Sequence, residues 1–211
     1  MPLRNRVTPF NDIVAVAARG TLMGNRGRLH DADGAPGRRL YTTRAWVACL
    51  LQFKNRHRPV MQPGRYTELF FLDEPTALAA GHRPCGQCRH ADYRRFLAAW
   101  RAGNEAPQAT LAQIDARLQE DRLDRTIRRQ KRHAAAVADL PDGAMVSLPF
   151  EPGAAFLLAR GKMLEWSPTG YHSCRQQPQI LAVEVLTPVS TVRALAAGYR
   201  PVLHPTAEAL L

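Results

Sequence analysis

Short apolar runs broken by glycine and proline dominate this chain, and a 3.6-residue period holds in only a few places. A first short strand is expected over 13–16. The arginine- and glycine-rich stretch over 19–28 reads as a connecting loop whose backbone could approach a phosphate, without the spacing of a Walker loop or a dinucleotide fingerprint. The apolar run over 44–53, with Trp46 and Cys49, reads as a strand, and a second strand over 67–72 follows a turn at Pro63-Gly64. Asp73-Glu74-Pro75-Thr76 then starts a helix, with Asp73 as cap and proline in the first turn, and Gly81 stops it. A second helix over 91–100 puts Tyr93, Phe96, Leu97 and Trp100 on one face, where core packing explains them. From 111 to about 133 the pattern is again helical, with Leu111, Ile114 and Leu118 together and an arginine-dense far end. The segments 144–148, 155–160, 163–166 and 180–186 read as short strands separated by proline and glycine turns, and a short helix follows through 197.

This pattern predicts an α+β fold. A small mixed N-terminal domain over 1–103 carries a CxxC knuckle directly after a helix. A basic helical segment spans 104–138, and an antiparallel, β-rich part with a short terminal helix spans 139–211. The octet Ala194-Leu195-Ala196-Ala197-Gly198-Tyr199-Arg200-Pro201 repeats 77–84 with one change, Tyr199 for His82. It reads as one helix-ending device used twice, since a true duplication would extend over tens of residues.

With 211 residues, 45% of them hydrophobic, the chain can bury a substantial core. No apolar run approaches the roughly 18 residues of a membrane span, and no apolar signal core follows Met1, so no membrane partner is expected and a cytoplasmic location is the default. Four cysteines are too few for a disulfide scaffold in a chain this long. The net charge of +11 and isoelectric point near 10.4 suit a polyanionic partner, DNA or RNA. Arg122, Arg125, Arg128, Arg129, Lys131 and Arg132 form the densest cluster; it fits phosphate contacts or a solvated helix or linker.

Chemistry concentrates at Cys85-Gly86-Gln87-Cys88. Two thiols three positions apart, turned by a glycine-containing knuckle, can aim both sulfurs at one ion, and zinc favours such donors. Arg83, Arg89, His82 and His90 flank the pair and would lower the thiol pKa values. A redox pair or two unrelated free thiols are the alternatives, and Cys49 alone reads as a small buried hydrophobe.

Phe70-Phe71, then Ala77-Leu78-Ala79-Ala80-Gly81 and Arg83-Pro84-Cys85-Gly86-Gln87-Cys88, resembles the metal-binding domain of the Ada DNA-alkylation repair family, over roughly 46–95. The resemblance implies zinc on Cys85 and Cys88. The family's earlier cysteine pair would fall near 54–58, where this chain has no cysteine; His57 lies close to one expected position, and Cys49 precedes it. The implied ligand set is therefore Cys49, His57, Cys85 and Cys88, with His82, His90 or Cys174 as substitutes for His57. Arg56, Arg58, Arg65, Arg83 and Arg89 would surround the site and face the DNA backbone, with Arg128, Arg129 and Arg132 adding phosphate contacts.

The expected function is a zinc-stabilised DNA-binding protein, in repair or defence. One alternative is a zinc-dependent enzyme on nucleic acid: a deaminase, a nuclease or a methyl acceptor. Pro84-Cys85-x-x-Cys88 matches half of the zinc deaminase pattern, and Glu68 is the only nearby acid in a plausible strand. An RNA-binding protein is the third reading, and the charge fits it equally well.

Overall fold

The structure is a computed structural model that describes residues 1–31, 37, 39–54, 59–178 and 182–211. It is a mixed α+β chain in which strands predominate. Strands β1 (Arg4–Val7), β2 (Ile13–Ala15), β3 (Leu22–Asn25), β4 (Val47–Leu50) and β5 (Leu69–Phe71) precede helix α1 (Glu74–Ala79). The two-residue strand β6 (Arg83–Pro84) leads through the cysteine pair into α2 (His90–Gly103) and α3 (Leu111–Arg122). A small hairpin of β7 (Leu123–Asp124) and β8 (Arg129–Gln130) is followed by β9 (His133–Ala136), β10 (Met145–Leu148), β11 (Glu151–Ala159), β12 (Lys162–Ser167), β13 (Gly170–Gln176) and β14 (Ala182–Val185). Helices α4 (Val189–Ala196) and α5 (Pro205–Glu208) complete the order.

Apart from the β7–β8 hairpin, the strands of the described residues form two six-stranded sheets. The first, ordered β2-β1-β5-β3-β4-β6, is mixed: β1 runs parallel to β5, β4 runs parallel to β6, and the other neighbours are antiparallel. The second, ordered β13-β12-β11-β10-β14-β9, is antiparallel throughout. Strand β11 shows why its sequence reads as an unbroken apolar run. Phe156 and Leu158 point into a core with Phe96, Trp100, Leu118 and Leu195, while Ala155, Leu157 and Ala159 point into another with Leu72, Tyr171 and Ala207. A strand covered on both faces needs apolar residues at every position. Helices α2 and α4 cap the first face, and Phe96 meets Tyr199 edge to face at 5.3 Å between ring centres. Each of these large side chains contributes about 1.5–3 kcal/mol on full burial.

Two sequence expectations are corrected here. The stretch over 19–28 is not a connecting loop: it contains β3, which lies between β4 and β5. Its glycine serves close packing, because a Cβ on Gly24 would lie 2.3 Å from Phe71 Cε2. The helix expected to reach about 133 ends at Arg122, and the arginine-rich stretch folds as the β7–β8 hairpin. Thr110 and Gln113 form a capping box that starts α3. At the hairpin tip, Asp124 Oδ1 accepts from the Thr126 and Ile127 N–H groups, and Arg128 adopts a φ of 54°. Local side-chain-to-backbone bonds thus compete successfully with helix propagation.

Among the described residues, no helix is long and apolar enough to cross a membrane.

Candidate metal centre

The site is built by a helix that stops abruptly and a strand that pairs with its exit. Asp73 caps α1, accepting from the Thr76 N–H at 3.1 Å and its hydroxyl at 2.7 Å. At the other end Gly81 takes a φ of 80°, its N–H donates to Leu78 O at 2.9 Å, and the His82 N–H reaches Ala77 O at 2.9 Å. This pair of reversed bonds is a Schellman stop. The echoed octet does the same: Gly198 has a φ of 99°, and the Tyr199 N–H donates to Ala194 O at 3.0 Å.

Beyond Gly81 the chain is extended and lies parallel to β4, with Val47 opposite Arg83 and Ala48 opposite Pro84. The Cys85 N–H donates to Ala48 O at 2.9 Å, which sets Cys85 beside Cys49. The knuckle then folds back. The Arg89 N–H donates to Cys85 O at 3.0 Å, and the Leu50 N–H donates to Cys88 Sγ at 3.4 Å. The Sγ atoms of Cys49, Cys85 and Cys88 consequently lie within 4.8 Å of one another, and all three residues are half-buried. A zinc–sulfur bond of about 2.3 Å implies sulfurs roughly 3.8 Å apart on a tetrahedron, so the three need only small movements to share an ion. Among the described residues no other His, Cys, Asp or Glu joins the cluster.

The three thiols are not equivalent. The Cys49 S–H donates to Cys85, which outweighs burial and, with the N–H groups of Cys88 and Gln87, pulls Cys85 down to about 4. The same bond, together with burial, pushes Cys49 well up, and burial raises Cys88. Sulfur and backbone donors thus favour the thiolate at Cys85 over those at Cys49 and Cys88.

The arginines expected to do this are engaged elsewhere, which corrects the expected binding face. Arg83 is buried and grips both oxygens of Asp115 at 2.7 Å. Arg89 is buried and pairs with Glu74 at 2.9 Å and Asp92 at 2.7 Å. With their donors turned into the protein, neither can meet a phosphate. Arg65, Arg128 and Arg129 are exposed, while Arg132 pairs with Glu184 at 2.7 Å. Arg56, His57 and Arg58 lie outside the described residues. Of the substitute ligands, His82 is buried against Trp46 and Phe71, His90 is exposed at the start of α2, and Cys174 is exposed on β13; none belongs to the sulfur cluster.

The sulfurs open onto a cavity of about 700 Å³ walled by Leu50, Phe53, Val60, Tyr66 and Phe70. Buried Glu68 also lines it, and its Oε2 accepts the Met61 N–H at 2.8 Å. Sequence reasoning named Glu68 as an acid near the thiols but gave no sign of this cavity, whose walls come from separate strands and loops. No protein-family model, curated protein or solved structure matches this chain.

Proposed function

We propose that this protein holds a zinc ion on Cys49, Cys85 and Cys88 and binds nucleic acid, DNA in the first instance. The convergence of three sulfurs from two chain segments carries the reading. Thiolates are soft donors suited to zinc, and their pairing with a helix stop is the part of the chain that resembles the Ada metal-binding domain. The sequence offers His57 as the fourth donor. The surplus of positive charge, +11, supports a polyanionic partner.

The test is metal analysis of the purified protein beside Cys85→Ser, with binding of DNA and RNA over a range of salt. About one zinc per chain is expected, lost in the variant, with affinity falling steeply as salt rises. Less than about half an equivalent of zinc, or salt-insensitive binding, overturns the reading.

Glu68 supports a second reading. A carboxylate beside a three-sulfur zinc is the donor set of a zinc enzyme acting on a nucleobase, with water as the fourth ligand. His57→Ala separates the two: full zinc retention favours an open metal position, and loss favours a closed structural site.

A further inference from the structure

The hairpin that replaces the expected basic helix forms one wall of a groove. A hollow of about 350 Å³ is lined by Phe10, Leu40, Leu123, Arg128, Arg129 and Arg132. A second, of about 290 Å³, is lined by Arg39, Leu40, Tyr41, Leu123, Arg125 and Arg128. The two share Leu40, Leu123 and Arg128 and so adjoin, Phe10 lining the first and Tyr41 the second. Arg39, Arg125 and Arg129 are exposed and have no acidic partner among the described residues. Of the acids there, Asp124 is occupied in closing the hairpin turn, and Asp12 lines the first hollow.

Buried side chains hold the walls in place. At the hairpin's start, Arg122 Nη1 donates to Gly81 O at 2.8 Å and Nη2 to Arg44 O at 2.6 Å, tying down the loop that carries Tyr41. At its end, Gln130 Nε2 lies 2.8 Å from Pro9 O, 3.0 Å from Ala79 O and 3.1 Å from Leu186 O, fixing the residue before Phe10. Both aromatic walls are therefore tethered to the cationic hairpin through the body of the protein. A binding surface fixed beforehand loses little entropy when it is occupied.

We infer that this groove binds a single-stranded polynucleotide, its phosphates on Arg39, Arg125 and Arg129 and its bases against Phe10, Tyr41 and the guanidinium planes. Charge complementarity selects a polyanion. The half-buried rings that share these hollows with the cations favour a strand whose base faces are free, which a duplex does not offer. The inference rests on the nucleic-acid reading above and locates its contact surface away from the sulfurs.

The experiment measures binding of the full chain to labelled oligothymidine, oligouridine and a duplex of equal length, at several salt concentrations. Arg125→Ser/Arg129→Ser is compared with Arg94→Ser/Arg193→Ser, which removes the same charge from exposed positions elsewhere. The groove variant should lose roughly tenfold in affinity for a single strand, with the salt slope reduced by about 1.4, or about 0.7 per phosphate contact. The control should change little, and the oligothymidine and oligouridine arms decide between DNA and RNA. If the wild type binds the oligonucleotides but both variants behave alike, or the duplex binds more tightly than the single strands, the groove is wrong and the nucleic-acid reading survives. If the wild type binds none of the probes, both fall together.

Discussion

Arg89 and Glu74 form a buried ion pair, Nη2 to Oε2 at 2.9 Å, that joins the residue following the cysteine knuckle to the first turn of α1. Burial alone would lower the guanidinium, but Glu74 and Asp92 together offset it and hold Arg89 above its usual range. Glu74 also accepts the Tyr199 hydroxyl at 2.6 Å and the Val202 N–H at 2.9 Å. Removing one partner of such a pair strands the other charge in the interior, so Glu74→Ala should cost about 3–5 kcal/mol in urea unfolding. Tyr199→Phe removes one hydroxyl donor to Glu74 and should cost about 1–3 kcal/mol. Equal, small effects from both would show that the pair is not a keystone of the fold.

Zinc content should depend on three cysteines and be indifferent to the fourth. Cys49→Ser, Cys85→Ser and Cys88→Ser should each lower the bound metal measured by mass spectrometry, and Cys174→Ser should leave it unchanged. Cys49→Ser is the sharpest of these, because the cysteine pair alone gives no reason for its effect.

His82 should make stability fall as the solution is acidified. Burial, reinforced by Arg26 and Arg122, holds its pKa well below the ordinary value of 6.5. Below about 6.5 the unfolded chain takes up a proton that the folded chain refuses, so the unfolded state gains as pH drops toward the depressed folded value. His82→Phe should remove up to about 1.4 kcal/mol per pH unit of that slope. Urea midpoints between pH 7 and about 5 would check this, and parallel curves for the two proteins would refute it. His133, also lowered by burial, remains in both proteins and cancels.

The two helix stops should respond differently to the same substitution. Gly81 and Gly198 both occupy the left-handed region, where a side chain costs roughly 1–2 kcal/mol. A Cβ on Gly81 would also lie 2.5 Å from Arg122 Cδ, whereas one on Gly198 meets nothing within 4 Å. Gly81→Ala should therefore be more destabilising than Gly198→Ala by at least about 1 kcal/mol, measured by urea unfolding.

The helix stop, the two strands before it and the strands β10, β11 and β12 were legible because each rests on local chemistry: a capping acid, a glycine, a short apolar run between turns. Strands β9 and β13 of the same sheet were not expected, because their polar and small residues give no apolar run, and 180–181 of the strand expected over 180–186 lie outside the described residues. The helix expected over 91–100 is α2, extended to His90–Gly103. What escaped was pairing at a distance. Cys49 entered the expected ligand set only through the resemblance, and the parallel pairing of β6 with β4 that brings it to Cys85 and Cys88 has no signal in either segment. Arg83 looked available for phosphate because its acid, Asp115, stands far along the chain; Arg89 is taken up both by distant Glu74 and by Asp92, three residues on. Glycines at 20 and 24 suggested a loop, since a residue kept small for a neighbour and one kept small for freedom look alike in sequence. The arginine run from 122 onward hid its split into an interior residue, Arg122, and a solvent-facing hairpin.

The support beneath the sulfur cluster arrives late in synthesis. Asp73 and Glu74, at the base of α1, are satisfied by Tyr171, Tyr199, Val202 and His204, all made long after the cysteines. A nascent chain halted before residue 199 would carry every thiol of the cluster and lack part of the scaffold that steadies them. The base of the helix that leads into the cysteine pair is thus completed only by the far end of the chain.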